Sequence, residues 1–190
     1  FDRTCNDARR TYKQSGIEEA AAKAGAEVKY VTDDDFVEMR IPDGKVLTSW
    51  WLNKDILAAD VFINVPIAKH HGSTGLTLSM KNLMGCVGGE RGAWHVGRLD
   101  QRIADVNTAL KPDLIIMDGY RILMDHGPTG GSLDDVKLAR TVALGTDPVA
   151  VDSYTATLFD KSPSDVKYIA YANKLGLGKM KDFRVSEITT

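Results

Sequence analysis

The sequence predicts an α/β domain with a central, mostly parallel sheet flanked by helices, plus a small antiparallel hairpin. Three observations predict it. Two apolar runs, Asp60 to Val65 (D-V-F-I-N-V) and Asp113 to Asp118 (D-L-I-I-M-D), have the composition of buried strands. Helical periodicities lie between and after them. The two patterns alternate along the chain without a repeat or a low-complexity linker, which favours parallel strands joined by helices. At 190 residues the chain suits one domain over 1–190.

The elements follow in order. Ser15 to Ala24 reads as a helix, with Ser15 as its cap, Glu18 three residues on and Gly25 as its stop. Ala26 to Val31 reads as a strand, and Asp33 to Asp35 as a solvated turn, because adjacent carboxylates fan apart. Phe36 to Ile41 and Lys45 to Thr48 flank P-D-G and form the hairpin. Trp50 to Ala58 fits a short helix, followed by the first apolar strand. Leu76, Met80, Leu83 and Met84 recur at helical spacing, which predicts a helix starting in Ser73-Thr74-Gly75. Cys86 to Gly92 reads as a mobile glycine loop and Arg98 to Leu110 as a helix that Lys111-Pro112 breaks. After the second apolar strand, Gly127 opens a G-P-T-G-G loop. Val136 to Leu144 and Phe183 to Ile188 are strand candidates, and Pro148 to Phe159 and Pro163 to Leu175 are helices.

Composition removes several classes of function. A formal charge of -2 gives no electrostatic reason for a nucleic-acid partner. No apolar run approaches the roughly 18–20 residues of a membrane span. The opening F-D-R-T-C is unlike a natural start, so a leader or first strand is expected to precede it. The compartment stays open, with the cytoplasm favoured. No Walker loop, strand-borne G-x-G-x-x-G or G-x-S-x-G is present.

The densest chemistry lies from Asn64 to Gly85, which holds two lysines, two histidines and two asparagines directly after an apolar strand. Loops leaving strand ends are where α/β proteins place their sites. Alternation in an extended exit sets Lys69 and His71 on one side and His70 on the other. Lys69, Lys81 and a helix N-terminus would together clamp an anion. Beside them His71 or His95 would move a proton near neutral pH. Arg91 and His95 flank Ala93-Trp94 on a loop that would cover the site. Asp118 ends a buried strand, and Asp152 sits on a helix face beside Ala156 and Phe159. His70, His71, His95, His126, Cys86 and Asp118 are ligand types for zinc, but no pair has a recognised ligand spacing, so no metal residue is assigned.

As a set, these residues resemble a bacterial and archaeal family known as domain of unknown function 362. Its pattern falls on Asn64, Pro66, Lys69 and His71; on Lys81, Asn82 and Gly85; on His95; on Pro112, Asp113, Asp118 and Gly119; on Gly127, Pro128 and Gly131; and on Asp147, Val149, Ala150 and Asp152. Gly176-Leu177-Gly178 resembles its closing G-x-G, so the likeness covers roughly 55–180. It implies that Lys69, His71, Lys81, His95, Asp118 and Asp152 form one site. The site expected here has His71, His95, Asp118 and Asp152 as catalytic groups and Asn64, Lys69, Lys81, Asn82, Arg91 and Gly127 as ligand-binding groups. Some members carry a ferredoxin-like segment, which implies an iron–sulfur cofactor or a redox partner. Cys5 and Cys86 alone cannot supply the four thiolates of a cluster. The functional expectation is an enzyme domain for a small anionic molecule, in redox or iron–sulfur-linked metabolism. A non-catalytic ligand- or partner-binding module and a metal-dependent enzyme using the histidines are the alternatives.

Overall fold

A computed structural model describes residues 1–188. Asp7 accepts the Arg10 amide at 2.8 Å and caps α1 (Ala8–Ser15), which ends where Gly16 turns left-handed at φ 75°. α2 (Ile17–Lys23) follows directly, so the expected single helix from Ser15 is two, and Ser15 closes the first rather than capping the second. Residues 26–31 form no strand; Lys29 there ties the segment to Asp35 and Asp55 at 2.8 and 2.6 Å. Asp33–Asp35 is a single 3-10 turn.

β1 (Phe36–Arg40) pairs antiparallel with β2 (Ser49–Asn53), from Phe36 opposite Asn53 to Arg40 opposite Ser49. The hairpin is present, but its second strand starts later than the sequence suggests. Trp50 and Trp51 join it rather than a helix, as aromatic side chains favour a pleated surface. Residues 45–48 instead lie against α5 (Leu99–Ala109), where Asp105 accepts the Val46 and Leu47 amides at 2.7 and 2.9 Å. Asn53 caps α3 (Lys54–Ala58) by accepting from the Asp55 and Ile56 amides.

The main sheet is built on β6 (Leu114–Leu123). Two short strands lie end to end and parallel along one side of it: β3 (Ile63–Asn64), with Ile63 opposite Leu114, and β4 (Ile67–His71), with Ile67 opposite Asp118. Pro66 lacks the N–H that would continue the ladder. Its carbonyl still accepts the Asp118 amide at 2.8 Å, which keeps the two strands in line. β5 (Gly75–Thr77) returns antiparallel on β4, and β7 (Val136–Gly145) runs antiparallel on β6. The centre is therefore parallel and both edges are antiparallel.

α4 (Ser79–Asn82), α5, α6 (Pro148–Thr157) and α7 (Lys167–Lys174) share one core with the inward residues Ala68, Leu76, Ile115, Met117 and Ile122. The other face of the sheet stays open. Ile63, Val65, Ile67, Val142 and Leu144 point outward there and are 46–64% exposed. The run from Asp60 to Val65 is thus not a strand buried on both faces: only Asn64 of β3 is buried. The expected helix from Gly75 is a strand followed by one helical turn and a 3-10 turn (Leu83–Cys86). Residues 183–188 form no strand.

Candidate functional site

A cavity of about 540 Å³ opens beside the C-terminal half of β4. β4 contributes Lys69 and His71, α4 contributes Lys81 and Asn82, and the turn Arg91–His95 contributes Arg91 and His95. His70 faces away: its Nδ1 accepts the Gly127 amide at 3.0 Å. The alternation expected of the strand exit therefore holds.

The cavity is lined by the carboxylates of Asp2 and Glu90 and by four cationic side chains: Arg3, which pairs with Asp33 at 3.2 Å, and three others, Lys81, Lys69 and Arg91. Lys81 is only 7% exposed, and its ammonium donates to the Met84 sulfur at 3.5 Å. Burial, then the Lys69 charge beside it, pulls its pKa down to about 8. The Lys69 ammonium folds back to donate to the Ile67 carbonyl at 2.8 Å, and burial lowers its pKa as well. Arg91 donates to the Met84 carbonyl at 2.6 Å and approaches Cys5 Sγ at 3.7 Å. Among the described residues none of the three forms a salt bridge. An unpaired ammonium held out of water costs several kcal/mol.

The two histidines lie against one another, with ring centroids 5.9 Å apart and 22° between their planes. His71 is 6% exposed, and its pKa is pushed down to about 4, first by burial and then by the charge of Lys81. His95 is exposed, but its turn is fixed. Trp94 is 1% exposed and meets Trp50 edge-on at 5.4 Å, and Arg102 donates to the Trp94 and Gly97 carbonyls.

The remaining candidates lie outside the cavity lining. Asp152 is fully buried and accepts from the Ser79 amide, the Ser79 hydroxyl and the Met80 amide. It caps α4, so the N–H groups expected to meet an anion already meet this carboxylate. Asn64 donates to the Ser79 carbonyl and accepts from Asn82, each at 2.9 Å, which holds α4 and orients Asn82. Asp118 faces the open side of the sheet and accepts the Tyr120 amide at 2.9 Å. Gly127 packs on the His70 backbone, and its neighbour Pro128 is what reaches the cavity. The expectation that Asp118 and Asp152 join the histidines is corrected accordingly: one belongs to a turn and the other to a helix cap.

Sequence reasoning missed the segment Asp2–Cys5, which closes one wall. The Arg3 amide donates to the Gly85 carbonyl at 2.8 Å and its guanidinium to the Gly89 carbonyl at 2.7 Å. No local pattern in residues 2–5 signals this. The two free cysteines, Cys5 exposed and Cys86 half-buried, do not fit the four-thiolate requirement of an iron–sulfur cluster. Among the described residues no three His, Cys, Asp or Glu side chains converge as a metal site would need, and no helix is long and apolar enough to cross a membrane.

The fold is that of a mixed α/β protein, with a cavity lined by lysines, arginines and two histidines beside its central parallel pairing. The family described as Domain of unknown function (DUF362) matches residues 1–157, and the chain belongs to it. That match reaches back over the N-terminal wall and stops before Gly176-Leu177-Gly178, unlike the span read from the motifs. The chain is also 31% identical over 157 residues to a protein of Synechocystis sp. named as thylakoid-associated, a match covering 78% of this chain and 44% of that protein. It therefore spans less than half of that relative's length. No solved structure matches it.

Proposed function

We propose that this is an enzyme domain that binds a small anionic molecule in the cavity between β4, α4 and the Arg91–His95 turn. The observation that carries the reading is Lys81: a cation 7% exposed, turned toward a cavity shared with Lys69 and Arg91 and lacking a carboxylate partner among the described residues. A bound anion would supply the missing counter-charge and restore the hydrogen bonds that the ammonium lacks. Asn82 adds an amide to the same wall, and the histidine pair stands where it can exchange a proton with the bound molecule.

Calorimetric titration with inorganic phosphate and with pyruvate, at low ionic strength, tests the anion site. Lys81→Ala or Lys69→Ala should weaken the binding by about 1–3 kcal/mol, the scale of a charge-assisted hydrogen bond. Affinity unchanged in both variants would remove the clamp.

A further inference from the structure

His71 and His95 stack, yet they bond their neighbours in opposite senses. His71 Nδ1 receives the backbone N–H groups of Ser73 at 3.1 Å and Thr74 at 3.4 Å. A backbone N–H only donates, so this nitrogen holds a lone pair and the proton of the neutral ring sits on Nε2. His95 Nδ1 lies 3.2 Å from the Gly92 carbonyl oxygen. A carbonyl only accepts, so here Nδ1 carries the proton and Nε2 keeps its lone pair. Both rings line the cavity beside Lys69 and Lys81.

We infer that the pair is a fixed hydrogen-bond donor beside a free base, and that the site removes a proton from the carbon next to the carbonyl of a small anionic carbonyl compound. The inference rests on the anion-binding reading and adds the substrate class and the division of labour. His95 Nε2 takes the proton of the C–H bond, whose electron pair becomes the C=C bond of an enolate. The carbonyl π pair moves onto oxygen, which receives the Nε2–H of His71, while Lys81 and Lys69 hold the carboxylate or phosphate. Return of the proton from His95 to carbon closes the cycle, and no oxidant or reductant is consumed.

The groups around His71 fit this role. Burial acts on it first, and the ammonium charges of Lys81 and Lys69 lie nearby, so the ring stays neutral across ordinary pH. A neutral N–H aimed at a developing oxyanion costs no reorganisation when the charge appears. His71 cannot serve as the base without turning two backbone N–H groups away from Nδ1.

Two measurements on the whole chain decide the matter. Long-range proton–nitrogen NMR on uniformly 15N-labelled protein, from pH 5 to 8, reads each imidazole nitrogen directly. His71 should keep Nε2 protonated and Nδ1 bare throughout, and neutral His95 should show the reverse. A protonated His71 Nδ1, or titration of His71 near the ordinary value of about 6.5, would overturn the assignment. The second measurement is deuterium uptake from D2O into the carbon beside the carbonyl, with pyruvate and dihydroxyacetone phosphate in separate arms. Exchange above the protein-free rate should appear in one arm, which identifies carboxylate or phosphate as the recognised group. It should fall roughly 10²- to 10⁴-fold in His95→Gln, the usual share of general-base catalysis. Exchange in neither arm, with anion binding intact by calorimetry, overturns the enolisation and leaves a binding module. Loss of anion binding itself overturns the reading beneath it.

Discussion

Asp152 and Ser79, separated by 73 residues, are joined twice: the Ser79 amide and hydroxyl both donate to Oδ1 of the Asp152 carboxylate. With the Met80 amide on Oδ2 at 3.1 Å, this contact fixes the start of the one helical turn that carries Lys81 and Asn82. The cavity's central lysine therefore owes its position to a carboxylate that does not reach the cavity.

Asp152→Ala should cost about 2–4 kcal/mol of stability, because three buried donors lose their acceptor together. Urea unfolding measures it. A cost below about 0.5 kcal/mol would show that α4 is held by other contacts. Burial also pushes the Asp152 pKa up to about 7, against the three donors that favour the ionised form. Between the unfolded value of about 4 and about 7 the folded chain holds more protons, so this group's contribution falls as pH rises through that window. Asp152→Asn should remove that part of the pH dependence.

His71 acts in the opposite direction. Its folded pKa of about 4 lies below the unfolded value of about 6.5, so the unfolded chain binds the proton more readily between them. The resulting stability is complete above about pH 6.5 and is lost as pH falls toward 4. His71→Gln should flatten the acid limb by on the order of 2 kcal/mol, read from urea midpoints at pH 4.5 and 7. An acid limb with the same slope in the variant would mean that His71 is protonated at little cost in the fold.

Lys81 gives the site a proton signature. With its pKa pulled down to about 8, the free protein carries it partly neutral just above that pH, and a bound anion restores the charge. Phosphate binding at pH 8.5 should take up protons, seen as a calorimetric enthalpy that changes with the buffer's ionisation heat. Affinity should decline as pH rises past 8. The dependence should vanish in Lys81→Arg, whose guanidinium stays charged. Buffer-independent heats in the wild type would assign the anion to other groups.

Gly127 supports the strand exit by packing. A Cβ there would stand 2.3 Å from the His70 carbonyl oxygen, and backbone has no flexible end to swing aside. Gly127→Ala should destabilise by about 1–3 kcal/mol in urea unfolding, the scale of overpacking. Phosphate affinity of the folded fraction should stay within about threefold of wild type, since Gly127 is absent from the cavity lining. A selective loss of affinity without loss of stability would return Gly127 to the ligand-binding group.

Much of the cavity was legible because its residues are chemically distinctive and close together in the chain. Lys69, His71, Lys81 and Asn82 fall within fourteen residues, and strand alternation separates His70 from them. The burial of Lys81 was not legible. Spacing alone places it off the apolar stripe of a helix, where a solvated lysine is the ordinary outcome. It is buried in the assembled chain, where Asp2–Cys5, about eighty residues earlier, lines the same cavity. Asp118 and Asp152 show the converse: carboxylates at strand ends and on apolar helix faces look alike whether they cap backbone or meet substrate, and only the partner distinguishes them.

The sequence by itself determined the α/β class, the two apolar strands and the stretch in which the basic and imidazole groups gather, because apolar periodicity and turn residues act over short range. Tertiary structure alone decided which groups share a cavity and how deeply each is buried. Those outcomes depend on contacts between distant segments: Asp152 on Ser79, Arg3 on Gly85, and the Gly92 carbonyl held by a turn that Trp94 anchors against Trp50. Burial and hydrogen-bond partnership belong to the assembled chain, and they set the charge state of Lys81 and His71.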